Sequence, residues 1–83
     1  LYDRACELGE PRACTQLGLL ATTGRGVRAE PERARKLFAM ACQAGDVEGC
    51  GQQGVMLIRG LGGAADAAGG RTLVERACSD GHG

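Results

Sequence analysis

Five cysteines stand at positions 6, 14, 42, 50 and 78 of an 83-residue chain. Their spacing decides which thiol chemistry is open to them. A zinc site draws four ligands together, with its cysteine pairs two to four residues apart. Here seven residues separate Cys6 from Cys14, and seven separate Cys42 from Cys50. The single histidine, His82, leaves Cys78 and His82 as two ligands of no closed site. A redox centre of the Cys-x-x-Cys kind finds no motif. No metal or other cofactor is therefore expected. Two uses remain: cross-links, or reduced cysteines that pack as small apolar side chains.

The other residues with chemical potential are few. Ser79, Asp80 and His82 lie almost adjacent, but a catalytic triad is assembled by the fold and not by neighbours in sequence. A polar helix end accounts for the three. Ser79 is the only serine, and no Ser-x-x-Lys element exists, so acyl transfer of the β-lactamase kind lacks its nucleophile motif. The chain is expected to be no enzyme, with no catalytic residue. The basic residues Arg25, Arg28, Arg33, Arg35 and Lys36 are interrupted by Glu30 and Glu32, which reads as a loop and a solvated helix face. Ten basic side chains balance ten acidic ones. With one Tyr, one Phe and no Trp, neither an electrostatic footprint nor a stacking platform for nucleic acid is present. No apolar run reaches membrane-spanning length, so no membrane partner is expected.

The elements that must position these residues follow from a repeat. Cys6, Cys42 and Cys78 are 36 apart, as are Cys14 and Cys50. The same shift superposes Ala5 on Ala41, Gly9 on Gly45, Gln16 on Gln52, Gly18 on Gly54, Gly24 on Gly60 and Gly26 on Gly62. It continues with Arg35 on Arg71, Leu37 on Leu73, Ala41 on Ala77 and Gly45 on Gly81. A period of this length marks a stacked-repeat architecture, in which each unit buries its apolar face only against a neighbour.

Within a unit the pattern is helical. Pro31 opens a helix at a position where its missing N–H is harmless. Ala34, Leu37, Phe38, Ala41 and Cys42 then form one apolar stripe, and Gly45 supplies the stop. A second helix is predicted over about 47–59, ending at Gly60. Leu1 to Leu8 reads as the tail of a helix stopped by Gly9, and 11–22 as the next helix. Gly24-Arg25-Gly26 reads as a loop, and a last helix is predicted over about 67–79, before Gly81. The glycines at 24, 26, 60 and 62 are turn punctuation rather than a phosphate cradle. Gly18 and Gly54, in mid-helix, are expected to allow close helix approach.

Arg4-Ala5-Cys6-Glu7-Leu8-Gly9, Leu17-Gly18-Leu19-Leu20, Gly24-Arg25-Gly26-Val27 and Pro31-Glu32-Arg33-Ala34 resemble Sel1-like repeats, a branch of the tetratricopeptide-type solenoids. The paired cysteines resemble its cysteine-rich branch. The likeness covers essentially the whole chain. It implies an all-α, right-handed α/α solenoid fragment of about five antiparallel helices, one domain over 1–83, with repeats at about 1–9 (partial), 10–45 and 46–81. It implies a non-catalytic protein-interaction or adaptor module holding a protein or peptide ligand on its concave face. The alternatives are spacer repeats within a longer array, or a β-lactam-binding relative. Self-association through the ends is a further expectation. The chain departs from the family at Ala21 and Leu57, where Tyr is common. It departs again at Gln53, at Ala67 in place of a proline, and at Gly69-Gly70.

In that branch the paired cysteines form disulfides between neighbouring helices. The register agrees: Cys6 lies in the last turn before Gly9, Cys14 about one turn into the next helix, and Cys42 and Cys50 repeat this. Cys6 is thus expected to pair with Cys14 and Cys42 with Cys50, leaving Cys78 unpaired; reduced packing cysteines are the alternative. Pairing of Cys6 with Cys42 would require equivalent points of stacked units, about 10 Å apart, to meet within disulfide range. Oxidised cysteines would place the chain in an oxidising compartment (secreted, periplasmic or mitochondrial intermembrane space), and reduced ones in the cytoplasm.

Overall fold

The computed structural model describes residues 2–23 and 30–81. Gly24, Arg25, Gly26, Arg28 and His82 lie outside the described residues, as do the side chains of Tyr2, Asp3 and Asp80. Five helices follow one another: α1 (Tyr2–Glu7), α2 (Pro11–Thr23), α3 (Pro31–Gln43), α4 (Val47–Arg59) and α5 (Ala67–Gly81). No strand occurs among the described residues. The all-α solenoid of helical hairpins expected from the period is the fold observed.

The helix ends obey one rule. Gly9, Gly45 and Gly60 take φ of +92°, +100° and +68°, a region that only glycine enters freely. At the first turn the Gly9 N–H donates to the Cys6 carbonyl (3.1 Å) and the Glu10 N–H to the Ala5 carbonyl (3.0 Å). At the second, Gly45 donates to Cys42 (3.0 Å) and Asp46 to Ala41 (2.9 Å). At the third, Gly60 donates to Leu57 (3.3 Å) and Leu61 to Met56 (2.9 Å). Each is the paired bond set that satisfies the last carbonyls of a helix around a left-handed glycine. The longer connections, from α2 to α3 and from α4 to α5, are closed by a second rule. The Glu30 N–H reaches back to the Ala21 carbonyl, and the Asp66 N–H to the Leu57 carbonyl, both at 2.8 Å and one repeat apart.

Two features of the last helix depart from the sequence reading. Gly81 stays within α5 instead of stopping it; glycine permits the left-handed turn without imposing it. Ala67 lacks the proline of Pro31, yet the start is capped: the Asp66 carboxylate accepts from the Gly69 N–H at 3.0 Å, satisfying a donor that the helix leaves orphaned.

Packing relies on small residues. One cluster joins Cys6, Ala13, Cys14, Leu37 and Ala41, and a second joins Ala21, Ala34, Phe38 and Met56. The only phenylalanine is fully buried, and it has room because position 18 has no side chain. A Cβ built on Gly18 would meet the Phe38 ring at 2.6 Å. A Cβ on Gly54 would meet the Gly70 carbonyl oxygen at 2.5 Å, and Gly70 in turn faces the Gly54 carbonyl. Gly70, a departure in sequence, is thus half of a backbone-to-backbone crossing of α4 and α5.

The helices form two layers. α2 and α4 approach each other, whereas no Cα of α1, α3 or α5 lies within 8 Å of another helix of that set. The thinnest dimension is 16 Å, which is two helices deep for axes 8–10 Å apart. α2 and α4, which touch, form the inner layer, and α1, α3 and α5 form the outer layer.

The crossing gives a paired expectation for urea unfolding. Gly54→Ala should lose about 1–3 kcal/mol through overpacking against backbone. Gly51→Ala, whose new Cβ finds only Ala77 at 3.6 Å, should gain about 0.5–1 kcal/mol from helix propensity.

Candidate interaction surface

The glycine turns position the cysteines. Cys6 and Cys42 are the penultimate residues of α1 and α3, and their carbonyls accept the bond from the left-handed glycine. Glu10 and Asp46 then start the next helices, accepting from Cys14 (3.2 Å) and Cys50 (3.1 Å). The last turn of one helix is thereby folded over the first turn of the next. The Cα atoms of Cys6 and Cys14 lie 4.7 Å apart, and those of Cys42 and Cys50 4.4 Å apart, within the range a disulfide spans. Each sulfur faces its partner at bonding distance. Cys78 is exposed and bonds to no described cysteine.

A second tie crosses between repeats. Thr15, buried on α2, donates its hydroxyl to the Asp46 carboxylate at the start of α4. Gly49 makes this approach possible, because a Cβ there would meet the Thr15 hydroxyl at 3.0 Å and Ala41 at 2.7 Å. The tie is not repeated, since the shift carries Thr15 onto Gly51.

The basic cluster divides by role. Arg33 pairs with Glu30 at 3.6 Å. Arg35, half-buried, donates to the carbonyls of Leu61 (3.4 Å) and Ala64 (2.8 Å), bracing the loop between α4 and α5. Lys36 is exposed. Sequence reasoning took all three as a solvated face and missed the brace, although the match of Arg35 with Arg71 was a signal that the position is structural. Ser79 is exposed on α5, while the Asp80 side chain and His82 lie outside the described residues. No three His, Cys, Asp or Glu side chains converge among the described residues.

Two surfaces result. The inner layer is α2 and α4, where Gln16 and Gln52 are half-buried at matching repeat positions and Val55 is exposed. The outer one holds a recess of about 360 Å³ beside α3, with Gln53 and Leu57 of α4 at its floor.

No protein-family model matches the chain, and no curated protein matches it. Among solved structures, the chain is similar to the crystal structure of a Sel1 repeat protein from Oxalobacter formigenes. The TM-score is 0.87 at 29% identity, over 96% of this chain and 32% of that one. The chain has the Sel1-repeat fold. It spans about a third of the length of that solenoid. Its cysteine pairs, spaced one repeat apart, are consistent with a cysteine-rich form of that fold.

The inter-repeat tie can be measured. Thr15→Val keeps the side chain's shape and removes its donor to the Asp46 carboxylate, so stability should fall by about 1.5–3 kcal/mol, the range for a hydrogen bond to a charged group. Chemical denaturation with helicity as the readout checks this. A change within error would mean that Thr15 acts through packing alone.

Proposed function

We propose that this Sel1-like array is a non-catalytic protein-interaction module. In this reading it binds a polypeptide on the concave face and is stapled by the links Cys6–Cys14 and Cys42–Cys50. The observation that carries the proposal is the inner face itself. α2 and α4 touch and so form one layer, in which Gln16 and Gln52 stand half-buried at the same repeat position. A glutamine amide offers both a donor and an acceptor, and adjacent helix axes are 8–10 Å apart. An extended chain rises about 3.3 Å per residue, so every third residue of a bound segment meets the next glutamine. The Sel1 fold is a scaffold for protein interaction, in keeping with this role. A spacer role within a longer array is the second reading, supported by the solenoid of which this chain spans a third.

Two links within so small a core support an oxidising compartment, where such bonds persist. No helix among the described residues is long and apolar enough to cross a membrane.

Thiol titration of the denatured, unreduced protein should find one free thiol, Cys78, and non-reducing peptide mapping should recover Cys6 with Cys14 and Cys42 with Cys50. Replacing Cys42 and Cys50 together by alanine should lower stability by about 2.5 kcal/mol, the chain-entropy value for a nine-residue loop. Five free thiols would overturn the stapled reading.

The binding role is tested by selecting from a displayed peptide library with the oxidised protein and mapping the selected peptides by amide chemical shifts. Saturable shifts along α2 and α4, lost in a Gln16→Ala, Gln52→Ala variant of unchanged helicity, are expected. Shifts that leave α2 and α4 untouched would remove the concave-face assignment. Turnover of a small substrate that is lost in Ser79→Ala, with helicity intact, would overturn the non-catalytic reading.

A further inference from the structure

The outer layer carries a recess that the concave-face reading does not use. It runs along one flank of α3, where no Cα of α5 lies within 8 Å of a Cα of α3. Glu32, Arg35, Lys36 and Ala39 of α3 line its wall, and Gln53 and Leu57 of α4 its floor. The volume, about 360 Å³, is at the small end of ligand sites. It takes two or three side chains.

The chemistry of the recess is uneven in a way that selects an occupant. Arg35 spends its donors on two backbone carbonyls, which are neutral, so its charge is not cancelled by a carboxylate. Lys36 makes no ion pair with any described residue, although Glu32 lies one helical turn away. Two positive charges therefore stand one residue apart at the wall. Gln53, half-buried at the floor, makes no hydrogen bond to a described residue. It occupies the position that Leu17 fills in the preceding repeat, so a polar side chain stands where the repeat elsewhere uses an apolar one. Leu57 and Ala39, also half-buried, give the recess an apolar patch beside that amide.

We propose that this recess is a second, outer-layer binding site for an extended acidic peptide segment that presents a carboxylate next to a leucine-sized side chain. The carboxylate pairs with Lys36 and the Arg35 guanidinium, the apolar side chain covers Leu57 and Ala39, and the Gln53 amide bonds to the peptide backbone. An extended segment fits and a helical one does not, because a helix has already satisfied its own main-chain donors and acceptors, whereas an extended chain brings free ones to Gln53. Glu32, at the end of the wall nearest the start of α3, repels a second carboxylate and fixes the direction in which the segment lies. With the concave face also occupied, the array would hold two polypeptides on opposite sides. The outer site stands whether or not the inner one binds.

A fluorescein-labelled (Leu-Glu)4 peptide is titrated into the oxidised protein, with (Leu-Lys)4 as the control of opposite charge. Anisotropy and amide shifts are followed together. Saturable binding of (Leu-Glu)4 alone is expected, with shifts at Lys36, Ala39, Leu57 and the Gln53 side-chain amide. Both charge variants are exposed changes that leave the core intact, and their effects run in opposite directions. Lys36→Glu should weaken binding about fivefold, and Glu32→Gln should tighten it about twofold, the scale of partly exposed ion pairs. Gln53→Leu should weaken binding while keeping the fold, as the Leu17 position does. Equal binding of both peptides, affinity unmoved by Lys36→Glu, or shifts confined to Gln16 and Gln52 would each overturn the outer site. The last outcome would leave the concave-face reading standing; shifts confined to the outer recess would do the reverse.

Discussion

The turn from the second helix of one repeat to the first helix of the next is the constraint on which the remaining structure depends. A helix that ends on a right-handed residue leaves its last carbonyls bare and its direction undecided. Gly9 and Gly45 resolve both at once. Their positive φ reverses the chain within one residue and brings two N–H groups onto the exposed carbonyls. The following residue, Glu10 or Asp46, is then already in place to start the next helix. Cys6 and Cys42 fall three residues before the reversal, and Cys14 and Cys50 about one turn after it, because the turn has a fixed length. The cysteine spacing is a consequence of the turn, and a link across it holds the helix pair at the angle that the turn sets.

This explains how a chain poor in large side chains holds a two-layer stack. With one Phe, one Tyr and no Trp, the core cannot be filled by bulk, so the backbones come close instead. Gly18 gives its place to Phe38, Gly49 admits Thr15, and Gly54 and Gly70 let α4 and α5 meet carbonyl to carbon. Close approach multiplies dispersion contacts per residue, but it has a cost in helix propensity at each glycine. The links and the Thr15–Asp46 tie act where that cost is paid, at the junctions between helices.

Much of this was legible in the sequence because it recurs. The glycine stops, the 47–59 helix and the cysteine register all repeat at 36 residues, so each was read twice. What recurs once was not legible. The Asp66 cap replaces a proline with a side-chain bond, and nothing in a periodic pattern announces that exchange. Gly70 read as a weak point because propensity counts only its own helix, while its reason is the carbonyl of Gly54 across the crossing. Arg35 read as solvated because charge patterning cannot see a loop that folds back upon it. In each case the missing information was a tertiary partner, and the repeat supplied no second example of it.

The two layers also differ in how closely their helices approach. α2 and α4 approach each other, so the inner layer is closed between them. α3 and α5 do not approach each other, so a cleft opens beside α3 and exposes residues of α4. Gln53 and Leu57 are reachable for that reason alone. Arg35 links the two effects: its bonds to Leu61 and Ala64 hold the loop that forms one end of the cleft, while its charge lines the wall. Its side chain therefore sets both the shape of the outer recess and its sign, and a lysine there, a point charge without the planar fork, would keep the sign and lose the two-carbonyl brace.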